Sequence, residues 1–210
     1  MTVLTNIIYV YYQKINHSIN SNLVYNNKMK LILFNGPPGV GKTTVAKKVH
    51  EIMPMSFLLD LDLQKEFISQ YKKYNKKSNT LSFEIALGIA ETCMINNRDF
   101  ISGKGMLDII EEGKDKNILD QFIELGHKYK AEVYEIFLWA DKETTLNRAD
   151  ERGYDKKIRD SIENTQKLFG HYWDEMDAYK NKRANAIIVD TSHLSVDEVF
   201  IKVKTILNHK

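Results

Sequence analysis

Eight consecutive residues, Gly36-Pro-Pro-Gly-Val-Gly-Lys-Thr43, satisfy the pattern G-x-x-x-x-G-K-[ST] in full. The chemistry such a run supports is polyphosphate binding. Phosphate oxygens need several hydrogen-bond donors and a positive potential close by. Gly36, Gly39 and Gly41 let the backbone curl so that successive N–H groups point inward. A helix that begins where the loop ends adds the partial positive charge of its N-terminus. Lys42 reaches the β- and γ-phosphates as a point charge, and the Thr43 hydroxyl is placed to ligate Mg²⁺. Thr44 supports the helix start. Pro37, Pro38 and Val40 complete the run, so residues 36–44 are expected to line a site for ATP with Mg²⁺.

Such a loop works only between a strand and a helix. The preceding run, Lys30-Leu-Ile-Leu-Phe-Asn35, is short and apolar and reads as a buried strand. A helical pattern runs from about Thr43 to Met53 and stops at Pro54. Further strands are expected at Ser56–Leu59, Asp99–Ser102, Val133–Trp139 and Ala186–Val189. Helices are expected at Leu63–Tyr71, Thr80–Asn96, Ile118–Lys130, Lys142–Arg152, Ile158–Trp173 and Val196–Leu207. Five strands alternating with helices make a parallel α/β sheet with right-handed crossovers. Ligands then sit at the switch point beside the first strand.

The loop alone does not name a reaction. GTPases read guanine with N-K-x-D, and none of the three Asn-Lys pairs here has an Asp two residues on. Asp150-Glu-Arg-Gly153 matches D-x-x-G but lies in a charged helical stretch. The loop in the form Asn35-Gly-Pro-Pro-Gly-Val-Gly-Lys-Thr-Thr44, the strand ending Leu59-Asp-Leu-Asp62, the run Glu135-Ile-Phe-Leu-Trp-Ala-Asp141 and the ending Val189-Asp-Thr-Ser192 resemble the nucleoside-monophosphate-kinase-like group of small P-loop kinases. Nearest in character are members acting on hydroxyl groups: chloramphenicol phosphotransferase, zeta-toxin kinases and the 5′-kinase domain of polynucleotide kinase. The resemblance spans roughly residues 29–208. It implies a three-layer P-loop NTPase fold, with a five-stranded parallel sheet in the order 2-3-1-4-5, helices on both faces and a short lid.

Asp60 and Asp62 follow the second strand and should emerge at the carboxyl edge of the sheet, near the γ-phosphate. The resemblance implies that Asp62 orients or deprotonates the acceptor hydroxyl, with Asp60 supporting it or meeting Mg²⁺ through water. The plainer alternative is that Asp62 N-caps the helix at Leu63. Lys65 stands where the family pattern has Arg and lacks its bidentate fork. Ser102-Gly-Lys104-Gly follows the third strand, and Lys104 is a further candidate contact to acceptor or phosphate, against a plain glycine turn. Lys65, Lys72, Lys73, Lys76 and Lys77 interleave with Tyr71 and Tyr74. This is either a grip on an anionic or nucleic substrate or a solvated face.

Arg148 and Arg152 lie four apart and share a helix face. Their mutual repulsion would be relieved by an anion between them, and the resemblance implies that they neutralise charge on the transferred phosphoryl group. Gly153-Tyr-Asp-Lys-Lys157 reads as the short lid, and Arg159 is a third candidate. Asp141 ends an apolar run but is followed at once by helix, which favours an N-cap over a metal-ligand role. Cys93, Trp139 and Trp173 read as core residues.

Composition bounds the rest. The chain has 210 residues, 43% hydrophobic and 28% charged, with a net charge of +2. That is globular and nearly neutral, which gives no general reason to expect a nucleic-acid or membrane-surface protein. One cysteine excludes an intrachain disulfide framework and fits a reducing, cytoplasmic setting. Residues 1–30 carry +3 and no acid, leaving −1 for the remainder. Residues 1–28 read as a poorly ordered, Asn- and Tyr-rich extension, with Met29 a candidate natural start of the domain 29–210. The expectation is an ATP-dependent kinase acting on a hydroxyl of a small molecule, without membrane partners, as a monomer or weak dimer. The alternatives are a nucleotide or polynucleotide 5′-kinase and a nucleotide-binding switch with weak ATPase activity.

Overall fold

Leu31 and Leu33 face one side of the first strand and Ile32 and Phe34 the other, and all four are at most 1% exposed. A strand buried on both faces must lie between two helical layers. A computed structural model of the chain, describing residues 28–103, 117–151 and 162–208, has that arrangement. Strands β1 (Lys30–Asn35), β2 (Phe57–Leu59), β3 (Phe100–Ser102), β4 (Glu132–Trp139) and β5 (Ile187–Asp190) form one sheet in the order β2-β3-β1-β4-β5. Every pairing is parallel. This is the order the resemblance implies. It puts β1 in the centre and the loop after it at the carboxyl edge.

Seven helices are present among the described residues: α1 (Lys42–Ile52), α2 (Leu61–Glu66), α3 (Asn75–Ile95), α4 (Ile118–Lys128), α5 (Lys142–Glu151), α6 (Ile162–Lys180) and α7 (Val196–Asn208). Val45, Ala46 and Val49 of α1 and Val199, Val203 and Leu207 of α7 pack with Ile32, Phe34, Tyr134 and Ile136 on one face. On the other face α3, α4 and the end of α6 pack with Leu31, Leu33 and Phe137. Each layer contributes by removing apolar area from water.

Three helices depart most from the sequence expectation. The helix after β2 starts at Leu61, because Asp60 supplies its cap, and it ends at Glu66 instead of reaching Tyr71. Gln70 then takes a left-handed φ of 55°, which no helix accommodates. Helix α3 begins at Asn75, five residues early, and buries Ser78 with its hydroxyl donating to the carbonyls of Tyr71 and Tyr74. Helix α6 runs past Trp173 to Lys180, since Met176 and Tyr179 still have sheet to cover. The extension 1–27, Lys104, Arg152, Arg159 and the lid stretch Gly153–Lys157 lie outside the described residues.

Candidate functional site

The loop after β1 has the backbone that phosphate binding requires. Gly36 has φ 130°, and a Cβ there would lie 2.0 Å from the Leu138 carbonyl oxygen of β4. So position 36 needs glycine twice over, for conformation and for the close approach of two strand ends. Its N–H donates to the Asn35 side chain at 3.1 Å, inside the core. Gly41 caps α1 in a left-handed conformation, with no side chain over the helix end and no acid in the first turn. At such a helix start the helix dipole favours an anion.

Lys42 curls back over the loop, and its Nζ donates to the carbonyls of Gly36 and Pro37, both at 2.8 Å. Its charge is thereby held over the cradle. The Thr43 hydroxyl donates to the Gly103 carbonyl at 3.3 Å, a long bond that a better partner can displace. Gly103 in turn donates its N–H to the Leu59 carbonyl at 3.3 Å. Two hydrogen bonds thus tie Thr43 to the residue directly before Asp60. Sequence spacing could not show this contact, because Gly103 draws attention only as part of a glycine turn.

Asp60 is the N-cap of α2: its Oδ1 accepts from the N–H groups of Asp62 and Leu63 at 3.1 and 3.2 Å. The cap weighed as the alternative role for Asp62 therefore belongs to Asp60. Asp62 sits in the first turn of α2, exposed. Lys65, half-buried, lies in the last turn of the same short helix. Lys72 and Lys73 are exposed, each over the ring of a neighbouring tyrosine.

Arg148 lies on the other side of β1. Its guanidinium donates to the Thr191 hydroxyl and to the carbonyls of Thr191 and Ser192, at 3.3, 2.9 and 3.3 Å. In this state it braces the loop after β5. The same loop is stitched to the end of β4, since the Asp141 N–H donates to the Ser192 hydroxyl at 3.1 Å. Ser192 also donates through N–H and Oγ to Asp190, which holds that carboxyl below its ordinary value. Asp141 caps α5, accepting from the N–H and hydroxyl of Thr144 at 2.8 and 2.7 Å, and these bonds pull its carboxyl down as well. The N-cap reading of Asp141 thus matches the geometry. Asp141→Ala is expected to lose about 1 kcal/mol at neutral pH. A group whose pKa is depressed on folding stabilises above its unfolded value and ceases to do so as pH falls through the folded one. The gap between variant and wild type, read by urea unfolding, should therefore close below about pH 4.

Trp139 and Trp173 pack against each other at 4.5 Å between centroids, and the Trp173 N–H donates to the Ala140 carbonyl. Cys93 is buried, which pushes its thiol up and away from reactivity. Cys93 belongs to the core and Trp139 packs against it, whereas Trp173 is half-buried outside both core clusters and covers Trp139. Among the described residues no cluster of three or more His, Cys, Asp or Glu could hold a metal by itself. The donor set fits an ion held chiefly by phosphate and water, with Thr43 as the protein ligand. No described helix is long and apolar enough to cross a membrane.

Comparison with solved structures places this architecture. Shikimate kinase from Acinetobacter baumannii in complex with shikimate aligns over 88% of this chain and 97% of its own, at 17% identity and a TM-score of 0.59. A tunicamycin resistance protein from Deinococcus radiodurans aligns over 86% and 97%, at 13% identity and a TM-score of 0.57. Deoxyadenosine kinase from M. mycoides with bound dCTP aligns over 87% and 100%, at 14% identity and a TM-score of 0.52. At these identities the likeness establishes the fold alone, the three-layer P-loop NTPase fold with its sheet in the order 2-3-1-4-5. No curated protein matches the chain. A family model described as AAA domain matches residues 32–168, from within β1 to within α6 and well over half the chain. The chain belongs to this AAA-domain family.

Proposed function

We propose that the protein is an ATP-dependent phosphotransferase that moves the γ-phosphoryl group to a hydroxyl of a small molecule. The observation that carries this reading is the hydrogen-bonded link from Thr43 through Gly103 to Leu59. It sets the phosphate loop beside the strand end that bears Asp60 and Asp62. Likeness in fold to a shikimate kinase supports a hydroxyl acceptor.

In this reading Lys42 exchanges the Gly36 and Pro37 carbonyls for β- and γ-phosphate oxygens, which are stronger acceptors because they are charged. The first amides of α1 and the loop N–H groups bind the rest of the chain of phosphates. Mg²⁺, when bound by Thr43 and phosphate oxygens, neutralises charge that develops on the β- and γ-phosphates. Asp60 keeps α2 in place through one carboxylate oxygen, and its other oxygen is left for a water in the metal's outer sphere. Asp62 accepts the acceptor's hydroxyl proton as the acceptor oxygen bonds to the γ-phosphorus. The bond from that phosphorus to the β–γ bridging oxygen breaks, and ADP leaves. Arg148 trades carbonyl oxygens for phosphoryl oxygens, and Arg152 is assigned the same task.

The test is a metabolite and oligonucleotide panel with labelled ATP. Label transfer to a hydroxyl compound supports the reading. Phosphate release that no compound changes would replace it with a nucleotide-binding switch. Once an acceptor is found, Asp62→Asn should lower kcat by about 10²–10⁴-fold with ATP affinity unchanged. Normal turnover in that variant would remove Asp62 from the mechanism.

A further inference from the structure

Gly103 is the first residue after β3, and β3 lies between β1 and β2. The register sets Ser102 level with Leu33 on one side and with Leu59 on the other. The chain therefore leaves β3 midway between the loop that follows β1 and the strand end that carries Asp60. Gly103 is buried there, sixty residues from Thr43 in sequence.

Conformation does not explain a glycine at this place. Gly36, Gly39 and Gly41 have left-handed backbones, and Gly103 does not. Space explains it. A Cβ on Gly103 would lie 3.3 Å from the Cβ of Ala46 and 3.6 Å from the Cα of Thr43, both near the start of α1. A side chain would therefore hold α1 and the end of β3 apart by a few tenths of an ångström more. The Thr43 hydroxyl reaches the Gly103 carbonyl at 3.3 Å, already longer than an ordinary O–H···O bond of about 2.5–3.0 Å. A shift of that size ends the contact. The bare backbone at position 103 is what allows this bond.

A threonine hydroxyl has one proton and two lone pairs. With the proton committed to the Gly103 carbonyl, the lone pairs face away from Gly103. Thr43 is exposed, so they are open to a ligand. A phosphate oxygen competes for the proton. A cation does not, because it takes a lone pair. We infer, on the reading in which Thr43 meets Mg²⁺ beside ATP, that Gly103 is a positioning residue for the divalent cation. Its carbonyl sets the Thr43 hydroxyl in the sense that offers oxygen, and not hydrogen, to a metal. Groups that orient a metal ligand in this way typically contribute about 10–100-fold to metal affinity. Gly103 also donates its N–H to the Leu59 carbonyl, so the residue that orients the ligand braces the strand before Asp60 as well.

Nucleotide affinity, measured with no acceptor present, tests the assignment. Isothermal titration of the full chain with ATP gives Kd with Mg²⁺ and again with EDTA, and the ratio of the two reads the cation. In Gly103→Ala that ratio should fall by about tenfold or more, while Kd in EDTA and the melting temperature stay close to those of the parent. Adding Ala46→Gly removes the atom nearest the new methyl group and should bring the ratio back. A merely structural role predicts a further loss instead, because glycine weakens the interior of α1. On a Thr43→Ala background Gly103→Ala should change the ratio no further. Coupling between two sites is reciprocal. In the unaltered protein, Mg²⁺ added to the ATP complex should therefore slow hydrogen exchange at the Gly103 amide, a readout that needs no variant to fold. A ratio near one in the unaltered protein would take Mg²⁺ away from Thr43 and overturn both readings. A large ratio there that Gly103→Ala leaves intact, losses in Gly103→Ala and Thr43→Ala that simply add, or exchange at Gly103 indifferent to Mg²⁺ would overturn the role of Gly103 alone.

Discussion

Lys42→Ala is expected to abolish phosphoryl transfer, with a loss of at least about 10³-fold in turnover and a matching loss of ATP affinity. In the structure the Lys42 ammonium bridges two loop carbonyls at 2.8 Å each. That geometry suspends a full positive charge over the concave side of the loop. No residue of the loop from Asn35 to Val40 carries charge, so nothing nearby can substitute for it. Preorganised donors in a water-poor site contribute about 10²–10³-fold each to stabilising charge that develops in a transition state, and Lys42 serves ground-state binding as well. The substitution leaves two carbonyls that water can reach, so the thermal midpoint should stay close to that of the parent. Isothermal titration with ATP and Mg²⁺, beside a melting curve, separates the two effects. Full activity in a folded variant would refute the site.

The second large effect is on stability. Glu135 lies on β4 with its side chain 5% exposed, and Arg183 donates to both of its carboxylate oxygens at 2.9–3.2 Å. The same guanidinium reaches Asp120 of α4 at 2.8 Å. One cation thus ties the segment after α6 to the sheet and to α4. Burial pushes the Glu135 carboxyl up, and Arg183 is what opposes that rise. Arg183→Met removes the opposition and leaves an unpaired buried carboxylate, at an expected loss of about 3–5 kcal/mol at pH 7. For a chain of this length that corresponds to a fall on the order of 10 °C in Tm. The sign with pH follows from the direction of the shift. A carboxyl whose pKa is raised on folding stabilises most below its unfolded value, and that contribution disappears as pH rises through the folded one. In Arg183→Met the folded value lies higher still, so the deficit should shrink between pH 7 and about pH 5. Adding Glu135→Leu should restore most of the loss by removing the stranded charge. Urea unfolding at the two pH values reads both outcomes, and a single variant as stable as the parent would show the bridge to be ornamental.

The phosphate side of the site is legible from sequence because its requirements are local. Gly36, Gly41, Lys42 and Thr43 act through backbone conformation and short reach, so an eight-residue window between a strand and a helix is enough to see them. The alternation of strands and helices is equally local, and with the right-handed crossover rule it leads to the parallel sheet. The acceptor side is different in kind. Whether Asp60 or Asp62 caps α2 depends on where the helix starts, and a shift of two residues exchanges their roles. The bracing of Thr191 and Ser192 by Arg148 spans more than forty positions, as does the Glu135–Arg183 bridge. Neither leaves a periodic trace.

The central position of β1 has a consequence for how this molecule comes apart. Its amides are enclosed between β3 and β4, and Leu31–Phe34 are closed off from water on both faces. Deuterium can enter there only when the whole domain opens, so the floor of the phosphate cradle belongs to the last unit to melt. Helix α2 has six residues, and Leu63 and Phe67 stand largely in solvent. It belongs to the first. Under mild stress α2 is expected to open while the loop after β1 stays folded, and hydrogen exchange resolved by segment checks that order.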